Sequence, residues 1–150
     1  MRALSFIQFI SESSEYDDSS SLEGITIIGT PDSDFDINEI SEFINFAKEF
    51  LNISDPVNIE LTFDKTSDVR TTGYYNNRER RLKVYIKDRA TVDTCRSIAH
   101  ELVHHKQNVN GEISNAKEAG ADGSPIENEA NAKAGEIIRL WGRRNPKIYE

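Results

Sequence analysis

The chain has 150 residues, 37% hydrophobic and 29% charged, with a formal net charge of −8. That size and balance fit one soluble domain with a modest core, and the acidic charge excludes a general nucleic-acid binder, which needs a basic face. Cys95 is the single cysteine, so no intrachain disulfide can form; no stretch approaches membrane-span length, and a cytoplasmic location without membrane partners is expected.

The first ten residues, Met1 to Ile10, are apolar but broken by Ser5 and Gln8, and no small-residue cleavage site follows. They read as a short amphipathic helix or strand rather than a secretory leader. Ser11 to Ser21 is acidic, serine-rich and low in complexity, the composition of a flexible linker. The expected organisation is therefore an apolar segment and linker over 1–23, followed by a domain over 24–150. The leading segment reads as a tail, a docking peptide, a pro-segment or a surface-packed helix.

Gly24 to Gly29 reads as a short strand bounded by glycines. Asp36 with Glu39 forms a capping-box pattern, and Ile37, Ile40, Phe43, Ile44, Ala47, Phe50 and Leu51 recur at helical spacing up to Asp55-Pro56. Val57 to Phe63 alternates as a half-buried strand. A hairpin follows, with arms at Thr71–Tyr75 and Arg81–Lys87 around a turn at Asn76–Glu79. The charged outer face of the second arm reads as edge-strand protection. A long helix is expected from Val92 to about Asn108, capped by Thr91 or Asp93 and stopped at Asn110-Gly111. Ser124-Pro125-Ile126-Glu127 starts a last helix that ends near Gly142 or before Pro146. Without internal repeats, this order predicts an α+β domain.

The chemistry centres on His100-Glu101-Leu102-Val103-His104. Residues four apart on a helix differ by about 40° and rise about 6 Å, so both imidazoles can reach one metal ion. Glu101, one position on, is placed to take a proton from a water activated by zinc, the logic of the H-E-x-x-H motif. A catalytic zinc takes three protein ligands. The chain has three histidines, and His105 points about 100° away from His104 around the helix, so it cannot join. A metzincin continuation would need Gly and His where the chain has Gln107 and Asn110, and Cys95 lies on another face. A downstream carboxylate is left: Glu112, Glu118, Asp122, Glu127, Glu129 or Glu136. Glu127 is expected to cap its own helix. Glu129 sits in the second turn among Ala130, Ala132 and Ala134, small residues that let two helices approach, and is the expected third ligand.

The two motifs together resemble the gluzincin metallopeptidases: His100-Glu101-Leu102-Val103-His104 on one helix and Asn128-Glu129-Ala130-Asn131 on the next. The run from Glu127 to Asn131 is also similar to small ImmA/IrrE-type regulatory proteases. The resemblance covers roughly Val57 to Trp141. It implies a zincin-like fold with a small, mostly antiparallel sheet, an edge strand beside the motif helix and a following Glu-bearing helix. It further implies one zinc ion on His100, His104 and Glu129, with Glu101 as general base. A protein or peptide substrate would add to the edge strand at Arg81–Lys87, touching Lys83 and Tyr85. The chain departs from the family where Ala132 and Lys133 replace an acidic residue one turn after the ligand Glu. Candidates for stabilising an oxyanion are Tyr74, Tyr75, His105 and Tyr149.

The expected function is zinc-dependent hydrolysis of peptide bonds. The alternatives are a zinc-stabilised binding or regulatory module, or a virion or scaffold component with a peptidase-like domain. The basic residues Arg139, Arg143, Arg144 and Lys147 read as favourable charge at a helix C-terminus.

Overall fold

The computed structural model describes residues 24–64, 72–113 and 124–149. The expectations for 1–23, and the candidates Thr71, Glu118 and Asp122, lie outside the described residues. Strand β1 (Ile25–Ile28) is bounded by Gly24 and Gly29, whose φ angles of +82° and +86° suit glycine. Helix α1 (Ile37–Phe50) starts at Asp36, whose carboxylate accepts the N–H groups of Asn38 (3.0 Å) and Glu39 (3.2 Å). Strand β2 spans Asn58–Thr62, and β3 (Gly73–Asn76) and β4 (Arg81–Tyr85) form the hairpin. The Asn76 side chain closes the hairpin turn by accepting from the N–H groups of Arg78 and Glu79. Helices α2 (Thr91–Val109) and α3 (Pro125–Arg144) follow, then a short 3₁₀ turn over Pro146–Tyr149. No helix among the described residues is long and apolar enough to cross a membrane.

The sheet order is β1-β2-β4-β3. The strands β1, β2 and β4 run parallel, and only β3 is antiparallel to its neighbour β4. The α+β class holds, but the sheet is mixed rather than mostly antiparallel. The reason is α1: a helical crossover returns the chain to the end of the sheet where β1 began, so β2 must run beside β1 in the same sense. The edge beside the motif helix is also the other arm of the hairpin. β4 lies between β2 and β3, and β3 is the edge strand. The start of α2 differs too: Ala90 is its N-cap, without a side-chain cap from Thr91 or Asp93.

The core lies between the sheet and the helices. Ile59, Leu61, Leu82 and Val84 from the strands join Phe43, Ile98, Leu102, Ile137 and Ile138 from the helices in one buried cluster. Alternation then fixes which strand residues see α2. Gly73 pairs with Val84 and Tyr75 with Leu82, so both belong to the helix-facing side; Tyr74 pairs with Lys83 and faces away. Lys83 and Tyr85 therefore sit on the face opposite the helices, where the Lys83 ammonium lies 5.6 Å from the Tyr85 ring centroid. Their side chains therefore point away from the face that carries α2.

Candidate metal centre

Three side chains converge where α2 meets the first turn of α3. The Nε2 atoms of His100 and His104 are 3.2 Å apart. Glu127 bridges them, with Oε1 2.7 Å from His100 Nε2 and Oε2 3.1 Å from His104 Nε2. The donor atoms all lie within 4.8 Å of one another. All three side chains are largely buried, with 20%, 10% and 16% of their surface exposed.

The carboxylate at the histidine pair is thus Glu127, and the expected ligand Glu129 is placed elsewhere. Helix phase explains this. The buried stripe of α3 runs through Ala130, Ala134, Ile137, Ile138 and Trp141. Stepping back three from Ala130 reaches Glu127, on the face that meets α2, whereas Glu129 is rotated about 200° from Glu127. The capping pattern is half kept: Ser124 Oγ accepts the Glu127 N–H at 3.1 Å. The Glu127 carboxylate turns to the histidines, so capping and ligation are compatible. Glu129 accepts a hydrogen bond from Gln107 Nε2 (2.7 Å) and pairs with Lys133 (3.1 Å), and these two contacts hold its carboxyl below the usual range. Of the three small residues expected at the helix contact, Ala130 and Ala134 are buried and Ala132 is exposed.

The donor set fits a divalent ion such as zinc. Two nitrogens about 2.1 Å from one tetrahedral zinc stand about 3.4 Å apart, close to the observed Nε2 separation. The two histidines and one carboxylate make the three-ligand set that leaves a fourth position open. Around them, His104 Nδ1 lies 2.8 Å from Gln107 Oε1. The His100 ring is held by Glu127 and Asn131; burial lowers its pKa, Glu127 opposes that shift, and His104 adds to it.

Glu101 is 6% exposed. Burial, helped by the charge of Glu127, pushes its carboxyl up to about 8. The nearby strand is β3: a Cβ added to Gly73 would lie 3.5 Å from Glu101 Oε2 and only 2.8 Å from the Lys83 carbonyl oxygen. Gly73 thus permits a close approach of the edge strand to both.

His105 is fully buried on another side of α2. Its Nε2 lies 2.9 Å from Asp55 Oδ2 and its Nδ1 2.8 Å from the Tyr75 hydroxyl, which also accepts from Asn108 Nδ2 at 3.0 Å. This network ties β3 to α2 and engages both Tyr75 and His105. Tyr74 is 49% exposed on the far face of the sheet. The Tyr149 ring lies over Gly142 near the end of α3, away from its first turn. None of these four faces the convergent donors.

Glu127, a candidate set aside for its cap, and Gln107 were both within reach of the sequence. Both were signalled by spacing: Glu127 continues the α3 stripe backwards, and Gln107 stands three residues after His104, a helix-surface neighbour. No protein-family model matches this chain, and no curated protein or solved structure matches it.

Proposed function

We propose that the protein is a zinc-dependent peptidase with His100, His104 and Glu127 as metal ligands and Glu101 as general base. The observation that carries the reading is the convergence of these three donors, with the Glu101 carboxyl buried within reach of the Glu127 charge. When bound, the ion supplies Lewis-acid polarisation of a carbonyl and lowers the pKa of coordinated water toward about 7. The protein's own part is positional. Glu101 accepts the proton as water attacks the scissile carbonyl and returns it to the departing amine. Burial raises this carboxyl, and a cation held by the three ligands would oppose that shift. The open edge of β3, beside Glu101, presents backbone groups to an extended chain.

Metal analysis of the purified protein and a peptide-library assay test the reading together. The expected result is one zinc per chain and cleavage that Glu101→Gln abolishes while the zinc remains. A chain that takes up no zinc refutes the site. A zinc-bearing chain on which wild type and Glu101→Gln are equally inactive supports the second reading, a zinc-stabilised binding module. One observation favours that reading: Tyr75 and His105 are engaged with each other, leaving no described tyrosine or histidine beyond the ligands at the centre.

A further inference from the structure

We propose that Gln107 and Glu129 are positioning residues for the metal centre: Glu129 fixes the orientation of the Gln107 amide, and Gln107 fixes the tautomer of His104. The inference rests on the metal-site reading above, and concerns residues outside the ligand set.

Gln107 is 2% exposed and lies between the two helices. Its Nε2 donates to two acceptors, the Ile126 carbonyl oxygen at 3.1 Å and Glu129 Oε1 at 2.7 Å. Its Oε1 faces His104 Nδ1 at 2.8 Å. An amide offers nearly the same shape in either orientation, so its neighbours decide which end points where. Neither a carbonyl oxygen nor a carboxylate can donate. Flipping Gln107 would set its oxygen against both, with two acceptor–acceptor contacts in a buried place. The amide nitrogen must therefore face Ile126 and Glu129, and the oxygen must face His104.

The consequence passes along the chain of contacts. An amide oxygen accepts, so His104 Nδ1 must carry the hydrogen. With the hydrogen on Nδ1, Nε2 is the ring atom left to meet a cation placed beside His100 and Glu127. Metal-binding histidines use this device, with the second ring nitrogen donating to a fixed acceptor. Gln107 does a second job through Ile126, the residue before Glu127. By holding that carbonyl it ties the first turn of α3 to α2, so one side chain sets both the ring of His104 and the placement of Glu127. This gives Glu129 a role although its carboxylate does not reach the histidines. It also supplies an orienting contact although Ala132 and Lys133 stand where an acidic partner was expected.

The test uses Gln107→Leu, Glu129→Gln and the double variant in the full chain. Two readouts are taken: the His104 tautomer in metal-free protein, by ¹⁵N-resolved NMR of the imidazoles, and zinc affinity by competition with a chromogenic chelator. Wild type should show hydrogen on Nδ1 of His104. Gln107→Leu should lose that preference and bind zinc roughly 10–100-fold more weakly, the usual effect of removing an outer-shell partner. Glu129→Gln should weaken zinc by up to roughly tenfold. In the Gln107→Leu background, adding Glu129→Gln should change nothing further, because it acts through Gln107.

Unchanged tautomer and affinity in folded Gln107→Leu would overturn the proposal. So would a lower melting temperature alone, which is what a merely structural glutamine would produce. Should Gln107→Leu fail to fold, Glu129→Gln, altered at a partly exposed side chain, decides by the same two readouts. Absence of zinc binding in wild type overturns the metal reading instead, and the metal-free tautomer still decides whether Gln107 sets His104.

Discussion

Replacing Glu127 by alanine separates the two carboxylates that the α3 motif offers. In the folded protein Glu127 touches both histidines, at 2.7 and 3.1 Å, whereas Glu129 touches Gln107 and Lys133. Zinc at a hundred times its dissociation constant stabilises the wild-type fold by about 2.7 kcal/mol. For a chain of this length about 1 kcal/mol moves the melting temperature by about 2–4 °C, so zinc should raise it by roughly 5–11 °C. Losing a ligand should weaken binding at least as much as losing an outer-shell partner, by roughly 100-fold or more. At the same free zinc, Glu127→Ala then keeps at most about 0.4 kcal/mol, a shift of roughly 1 °C. Glu129→Ala, weakened up to tenfold, keeps about 1.4 kcal/mol, a shift of roughly 3–6 °C. The assay is thermal unfolding of each variant with and without buffered zinc, each compared with its own metal-free value. If Glu127→Ala retains the full shift and Glu129→Ala loses it, the assignment from helix phase is refuted.

Gly73→Ala should destabilise the fold by about 1–3 kcal/mol in urea unfolding, because the new Cβ would meet the Lys83 carbonyl oxygen at 2.8 Å and β3 would have to move off β4. An unchanged midpoint would show that the edge strand does not need this close approach. Cys95 is fully buried, and burial, aided by Glu39, raises its thiol well above the ordinary value. It should therefore resist thiol reagents in the native protein and label at one site per chain on unfolding; rapid native labelling would contradict its place in the core.

The local features could be read from the chain because they depend on local chemistry. Asp36, Ser124 and Gly111 mark helix ends through bonds or φ angles that their own neighbours dictate, and the pair His100 and His104 needs only helix geometry. Pairing was harder. Arg81, Lys83 and Tyr85 look like an exposed edge because the helices cover only one face of the sheet; the other face of β4 meets solvent although both its edges are paired. Charge on alternate residues reports an open face, and only the partners on either side define an edge. Glu129 was preferred because Glu127 seemed occupied by its cap. But the cap requires only the backbone N–H of Glu127, leaving the carboxylate to be aimed by the phase of α3.

The same geometry explains why α2 carries so many buried polar groups. His104 and Gln107 face α3, while Glu101 and His105 face β3, where Gly73 and Tyr75 stand opposite. Four helical residues rise about 6 Å and two strand residues about 6.8 Å, so Gly73 and Tyr75 keep step with Glu101 and His105 along the helix. An unsatisfied buried polar group costs about 1–3 kcal/mol. His104, His105 and Gln107 avoid that cost through named partners. Glu101 is 6% exposed, and burial, helped by the charge of Glu127, raises its carboxyl to about 8. A carboxyl raised by burial beside convergent donor groups is the pattern that functional sites arrange. The buried Glu101, with the three donors next to it, is therefore the strongest physical argument that α2 was shaped by chemistry rather than by packing.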